Sequence, residues 1–144
     1  MSEIKNSLFI ITGAGSGIGR ALAIKAIAEN AQVIASDVNE QGLDETIKLV
    51  HGKVEKYLLD VADAKQIEQF AKTILQKYPD EKIILVNNAG VGLASGNFTE
   101  TPLDDFEWLM NINLYGVVRM TKAFLPHLVQ QNKGHIINVS SVYG

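Results

Sequence analysis

The chain has 144 residues, with 13 Lys plus Arg against 16 Asp plus Glu, a formal net charge of −3, and no cysteine. That length suits one domain with its own core, and the absence of thiols excludes a disulfide framework, a Cys-ligated metal site and a thiol nucleophile. The acidic balance lacks the basic excess that phosphate-backbone binding needs; the longest apolar run near the start, Leu8 to Ile11, is too short for a signal-peptide core, and no later stretch reaches the ~18 apolar residues of a membrane span. Neither nucleic acid nor a membrane is therefore expected as a partner, and the expected setting is soluble and cytoplasmic.

In chain order, a first strand is expected at Leu8 to Thr12. A helix follows at Ile18 to Glu29, ended by Asn30 in the left-handed conformation usual there. A strand at Gln32 to Asp37 and a helix at Glu40 to Val50 come next, then a strand at Val54 to Leu59 and a helix at Ala64 to Lys77 capped by Asp63. A fourth strand spans Lys82 to Asn87. One long helix is expected from Pro102 to Gln131, opened by Thr101 with Asp104 and Asp105 in its first turn, before a last strand at His135 to Ser140. The strands are rich in Val, Ile and Leu without strict alternation, which suits strands covered on both faces. With right-handed crossovers, residues 1–144 read as one doubly wound (Rossmann-type) parallel α/β sheet ordered 3-2-1-4-5.

The last helix carries apolar side chains from Phe106 to Val129 over an arc of roughly 200°, about twice what a one-sided helix needs. One side can cover the sheet. The other wants more of the chain or another subunit, unless the helix is simply buried deep in its own domain. Asn113 lies in the same arc, where a buried amide must find hydrogen-bond partners.

The strongest chemical signal is Thr12-Gly13-Ala14-Gly15-Ser16-Gly17-Ile18-Gly19 between the first strand and first helix. Glycine allows a tight turn and lets a pyrophosphate approach the helix N-terminus, where the backbone N–H groups and the dipole favour negative charge. The spacing is G-x-x-x-G-x-G: Ile18 excludes G-x-G-x-x-G, and no Gly-Lys-Ser/Thr follows to make a P-loop. Asp37 ends the neighbouring strand. A carboxylate there accepts hydrogen bonds from both ribose hydroxyls and repels a 2′-phosphate; no basic residue stands at Ser16 or Val38 to receive one. NAD is accordingly favoured over NADP, the alternative being a solvated aspartate that opens the Asp37-Val38-Asn39 turn.

Together these residues resemble the short-chain dehydrogenase/reductase family across the whole chain. Thr12 to Gly19 is similar to the family's T-G-x-x-x-G-I-G, Asp60-Val61 to its adenine contact, and Asn87-Asn88-Ala89-Gly90 to its N-N-A-G. The resemblance implies cofactor contacts at Gly13, Ser16, Gly17, Ile18, Gly19, Asp37, Asp60, Val61, Asn88, Ala89 and Gly90. It implies catalytic roles for Asn113, which holds a water in the proton path, and for Ser141, which hydrogen-bonds the substrate oxygen; Ser140 is the alternative serine. The implied reaction is hydride transfer between NAD(H) and a secondary alcohol or ketone, in a homo-oligomer (dimer or tetramer).

The chain departs from the family at one place. The tyrosine and lysine of a Tyr-x-x-x-Lys pair are expected beyond Ser141, and the sequence stops at Gly144. The expectation is a cofactor-binding amino-terminal part, inactive alone, with the pair, the last strands and most of the substrate pocket beyond it. Tyr78 to Lys82 matches the spacing but precedes the Asn87-Asn88 motif and contains Pro79, which breaks the helix the pair needs. Tyr143 has too little chain after it to test. His51, His127 and His135 lack metal-ligand spacing, Trp108 reads as a packing or interface residue rather than a stacking platform, and Lys53, Lys56 and the other lysines as solvated. A non-catalytic NAD-binding sensor or scaffold is the alternative function. A Rossmann-like methyltransferase is weaker still, since Asn87 to Gly90 has no role there.

Overall fold

A computed structural model of the chain describes residues 4–51, 54–93 and 97–141. Strands and helices alternate through it: β1 Ser7–Thr12, α1 Gly17–Ala28, β2 Gln32–Asp37, α2 Glu40–Lys48, β3 Val54–Leu58, α3 Ala64–Lys77, β4 Lys82–Asn87, α4 Leu103–Asn113, α5 Tyr115–Gln131 and β5 His135–Asn138. All neighbouring strands pair in parallel, in the order β3-β2-β1-β4-β5. Lys53, Tyr143 and part of the loop from Val91 to Thr101 lie outside the described residues.

Because side chains alternate along a strand, the buried strands feed two cores. Leu8 and Ile10 of β1, with Ile83 and Leu85 of β4, meet Phe70 and Ile74 of α3 and Met120, Phe124 and Leu128 of α5. Phe70 and Phe124 cross edge to face there, 6.0 Å between ring centroids. On the opposite face Phe9, Ile11, Ile84 and Val86 meet Ala23 and Ala26 of α1 and Leu43 of α2. Alanines on that side let α1 lie close against the sheet, which brings its N-terminus to the carboxyl ends of the strands.

Capping chemistry explains the starts of α2 and α3 and the stop after α1. Asp63 accepts from Lys65 N and Gln66 N at the start of α3, and Asn30 has φ +63° just past α1. Asn39, read in sequence only as part of a turn, accepts from Gly42 N and caps α2.

Two expectations need correction. The long fourth helix is two, α4 and α5, separated at Leu114 (φ −105°, ψ −59°). The break falls beside Gly116, where the backbone passes so close to Val61 that a Cβ would stand 2.9 Å from its Cγ2. Such a local adjustment leaves the apolar period intact, so the pattern does not reveal it. Nor does Thr101 cap α4: its hydroxyl donates to Asn97 O, and Pro102 takes the cap position with no side-chain bond. The two-sided character itself is present, with Met120, Phe124 and Leu128 buried while Trp108, Tyr115, Val118, Leu125 and Val129 are exposed. No helix among the described residues is long and apolar enough to cross a membrane.

Candidate functional site

A cavity of about 400 Å³ opens at the carboxyl ends of the strands. Gly13, Ser16, Gly17 and Ile18 line it from the loop between β1 and α1. Asp37 and Val38 come from the end of β2, Leu59, Asp60 and Val61 follow β3, Asn88, Ala89, Gly90 and Val91 follow β4, and Ile112 comes from α4. Every residue expected to contact the cofactor lies on this one cavity except Gly19, which stands behind the loop.

Each glycine of the loop does a different job. Gly13 turns the chain at φ +67°, and a Cβ on it would stand 2.9 Å from Ala89 Cα. Gly19 lets α1 pack onto the loop, since a Cβ there would lie 2.1 Å from Gly13 O. Gly17, at φ +49°, has nothing within 4 Å of a Cβ and faces open space. Ser16, at the N-cap of α1, makes no side-chain cap bond, and the first turn holds no acidic residue. The Ser16 side chain leaves those first N–H groups uncapped, so the positive end of α1 favours an anionic group in the cavity.

Asp37 is held at both oxygens. Oδ2 accepts from Gly15 N at 2.8 Å and Oδ1 from Asn39 N at 2.9 Å. A carboxylate oxygen has two lone pairs, so each can accept another donor from the cavity side. Asp60 fastens its own turn, with Oδ1 accepting from Ala62 N at 2.8 Å. The loops after β1 and β4 are joined through Thr12, whose hydroxyl oxygen accepts from Asn88 N and Ala89 N, both at 3.0 Å. In return Asn88 Nδ2 donates to Thr12 O at 3.0 Å and Gly13 O at 3.2 Å. The clamping role of the Thr12 hydroxyl and the place of Val38 and Ile112 on the cavity are not legible in the sequence, where Thr12 opens the glycine-rich run and Val38 stands out only for lacking a basic side chain.

Neither expected catalytic residue lines this cavity itself, although Asn113 is bonded to Val91, which does. Asn113 is exposed rather than buried, and each polar atom of its amide makes one bond: Nδ2 donates to Val91 O and Oδ1 accepts from Val91 N, each at 2.8 Å. These bonds tie the segment after β4 to α4. Ser141 follows β5 and is exposed. Behind it, Asn87 Nδ2 donates to Asn138 Oδ1 at 2.8 Å and Thr121 Oγ1 at 3.2 Å, linking β4, β5 and α5.

The Tyr78 to Lys82 spacing is indeed split, Tyr78 ending α3 and Lys82 opening β4. Partial burial, together with the hydrogen bond and charge of Glu55, pushes the Tyr78 hydroxyl above its ordinary value, opposite to what a proton-transferring tyrosine needs. No group of three or more His, Asp or Glu among the described residues is placed to hold a metal ion.

A parallel sheet with this strand order and a glycine-rich loop leading into its first helix defines a Rossmann-like domain. The model of the short chain dehydrogenase family matches residues 7–144, and the chain belongs to that family. It is 37% identical over 145 residues to a 3-oxoacyl-(acyl-carrier-protein) reductase of Thermotoga maritima, covering 99% of this chain and 58% of that protein. Among solved structures, a short chain dehydrogenase/reductase from Burkholderia phymatum in complex with NAD superposes with a TM-score of 0.90 at 34% identity, covering 99% of this chain and 51% of that one. A metagenomic short-chain oxidoreductase in complex with NADP gives 0.90 at 30% identity, covering 98% and 65%. The chain thus spans about half the length of the curated relatives it matches.

Proposed function

We propose that this chain is the NAD-binding part of an oxidoreductase that moves a hydride between NAD(H) and a secondary alcohol or ketone. The observation that carries this reading is Asp37, a carboxylate anchored at both oxygens on the same cavity as the glycine loop. It would accept from the two ribose hydroxyls and repel a 2′-phosphate. Gly13, Ser16, Gly17 and Ile18 would hold the pyrophosphate at the N-terminus of α1, with Gly19 setting the helix behind them. Asp60 and Val61 would border the adenine, and Asn88, Ala89 and Gly90 the adenosine ribose.

The dinucleotide supplies the hydride or accepts it at the nicotinamide ring. Ser141 would hydrogen-bond the substrate oxygen as its charge changes, and Asn113 would hold a water in the path of the proton. We assign turnover to the intact protein, acting in the cytoplasm as a homo-oligomer, dimer or tetramer, with the exposed apolar side of α4 and α5 as the joining surface. Sedimentation at micromolar concentration is expected to give more than one protomer's mass; a monomer would refute that assignment.

Titrating the intact protein with NADH and NADPH, followed by fluorescence, tests the cofactor reading. NADH should bind more tightly, and Asp37→Ala should narrow the preference by about tenfold, equal to about 1.4 kcal/mol. A ratio unchanged by Asp37→Ala would sink it. One observation favours a second reading, a non-catalytic NAD-binding sensor: both polar atoms of the Asn113 amide are already engaged by Val91. Turnover of NADH with a panel of ketones separates the two, since a sensor would consume none.

A further inference from the structure

Behind Asp37 lies a set of hydrogen bonds that the cofactor contacts do not explain. Arg20, in the first turns of α1, points away from the cavity toward α2. Its Nε donates to Thr46 Oγ1 at 3.0 Å, and its terminal nitrogen reaches Gly15 O, Gly42 O at 3.3 Å and Glu45 Oε2 at 2.9 Å. Thr46 is fully buried, and its hydroxyl lies 2.9 Å from Ala14 O and 3.0 Å from Gly42 O. With Arg20 Nε filling one lone pair of that hydroxyl, its hydrogen is left to these two carbonyls.

Ala14 C=O and Gly15 N–H belong to one planar trans peptide. Holding Ala14 O from below therefore also aims Gly15 N–H, and that N–H is the donor to Asp37 Oδ2. The next peptide is held as well, through Arg20 on Gly15 O. Gly42 makes the arrangement possible: a Cβ on it would stand 2.7 Å from Gly15 O, so the first turn of α2 sits directly on the loop. A chain of contacts thus runs from Arg20 through Thr46 and the Ala14–Gly15 peptide to the Asp37 carboxylate.

We propose that Arg20 and Thr46 are positioning residues that set the NAD-over-NADP preference by fixing the orientation of Asp37. The inference rests on the reading of Asp37 as the ribose contact. A carboxylate at a half-exposed strand end can turn about its side-chain bonds. Held in one orientation, it presents its remaining lone pairs to both ribose hydroxyls and keeps its charge where a 2′-phosphate would fall. Released, it loses part of the attraction and part of the repulsion together, so the ratio of the two affinities falls.

Dissociation constants of NADH and NADPH for the intact protein, measured for Arg20→Met, Thr46→Val, Thr46→Ser and Asp37→Ala, test this. Arg20→Met and Thr46→Val should each reduce the NADH-to-NADPH preference roughly 3- to 10-fold, Asp37→Ala should reduce it further, and Thr46→Ser, which keeps the hydroxyl, should restore it. In the Asp37→Ala background Arg20→Met should change the ratio no further, because it acts through that carboxylate. Equal weakening of both dinucleotides by Arg20→Met and Thr46→Val, with the ratio preserved while Asp37→Ala collapses it, would overturn the inference and leave the ribose reading standing. A ratio unmoved by Asp37→Ala itself would overturn both. Should Thr46→Val fail to fold, Arg20→Met, at a half-exposed position, decides alone.

Discussion

Where β1 and β2 end, the Gly15 N–H binds the Asp37 carboxylate while the Thr46 hydroxyl and the Arg20 guanidinium hold the Ala14 and Gly15 carbonyls, a network closed on the side away from the cavity. Where β4 and β5 end, Asn87 and Asn138 are paired across the register, yet Asn87 Oδ1 is buried with no hydrogen-bond partner among the described residues. Asn138, Val139, Ser140 and Ser141 are exposed. One end is built to hold its geometry before anything binds. The other presents its polar groups without an enclosing wall among the described residues. Preorganisation is most complete in the half that would hold a dinucleotide, while the half expected to meet a substrate is tied through Asn87, Asn138 and Thr121 beneath exposed residues.

Substitutions at the glycines break this comparison most sharply. Gly19→Ala should destabilise the fold by about 3 kcal/mol and abolish dinucleotide binding, because the new methyl would enter Gly13 O in a region with no room to give. A thermal melt within a few degrees of the parent would show the closed end to be more compliant than its bonding suggests. Gly17→Ala should remove about 1–2 kcal/mol through its left-handed backbone, with a disproportionate loss of NADH affinity because its methyl would enter open cavity. At the other end, a Cβ on Gly90 would meet Asn113 Oδ1 at an ordinary 3.4 Å. Gly90→Ala should therefore change stability by roughly 0.5 kcal/mol or less in the same melts.

The smallest effect on the site is expected at the far ends of the strands. There Glu55 accepts from Lys77 at 2.7 and 2.8 Å, from Tyr57 at 3.2 Å and from Tyr78. Partial burial pushes the Glu55 carboxyl up, but the bonds from Lys77 and Tyr78, the Lys77 charge and the Tyr57 bond together hold it below its ordinary value of 4.5. A lowered carboxylate stabilises the fold above that ordinary value, and the contribution fades as pH falls through the lowered one. Glu55→Gln should flatten this part of the acid limb of a stability-against-pH curve, with less than about 1 kcal/mol lost at neutral pH and NADH affinity unchanged. A changed affinity would show that the two ends of the sheet communicate.

How much of this was legible depends on how local the cause is. The strands, the glycine loop and Asp37 are legible because each is set by a short run: β-branched residues, glycine spacing, a carboxylate at a strand end; the strand order follows from right-handed crossovers between the strands. Asp63 and Asn30 declared themselves as a cap and a left-handed stop for the same reason. The hydrogen-bonding partners of Asp37 could not be read. Arg20 and Thr46 lie on different helices, and only the fold brings one to the other and both to Gly15. Asn113 was placed correctly on a helix but expected to be buried, because an apolar arc on a wheel does not say which side of the helix is covered.

The Thr12 hydroxyl gathers Asn88 N and Ala89 N and lies 3.4 Å from Val86 O, to which it donates. Two walls of the cavity, far apart in the chain, are thus pinned at one oxygen atom. A displacement of either of these two walls therefore strains the bonds to the other. Coupling of this kind removes loop freedom before a ligand arrives, so binding between these two walls has less conformational entropy to freeze than between two independent loops.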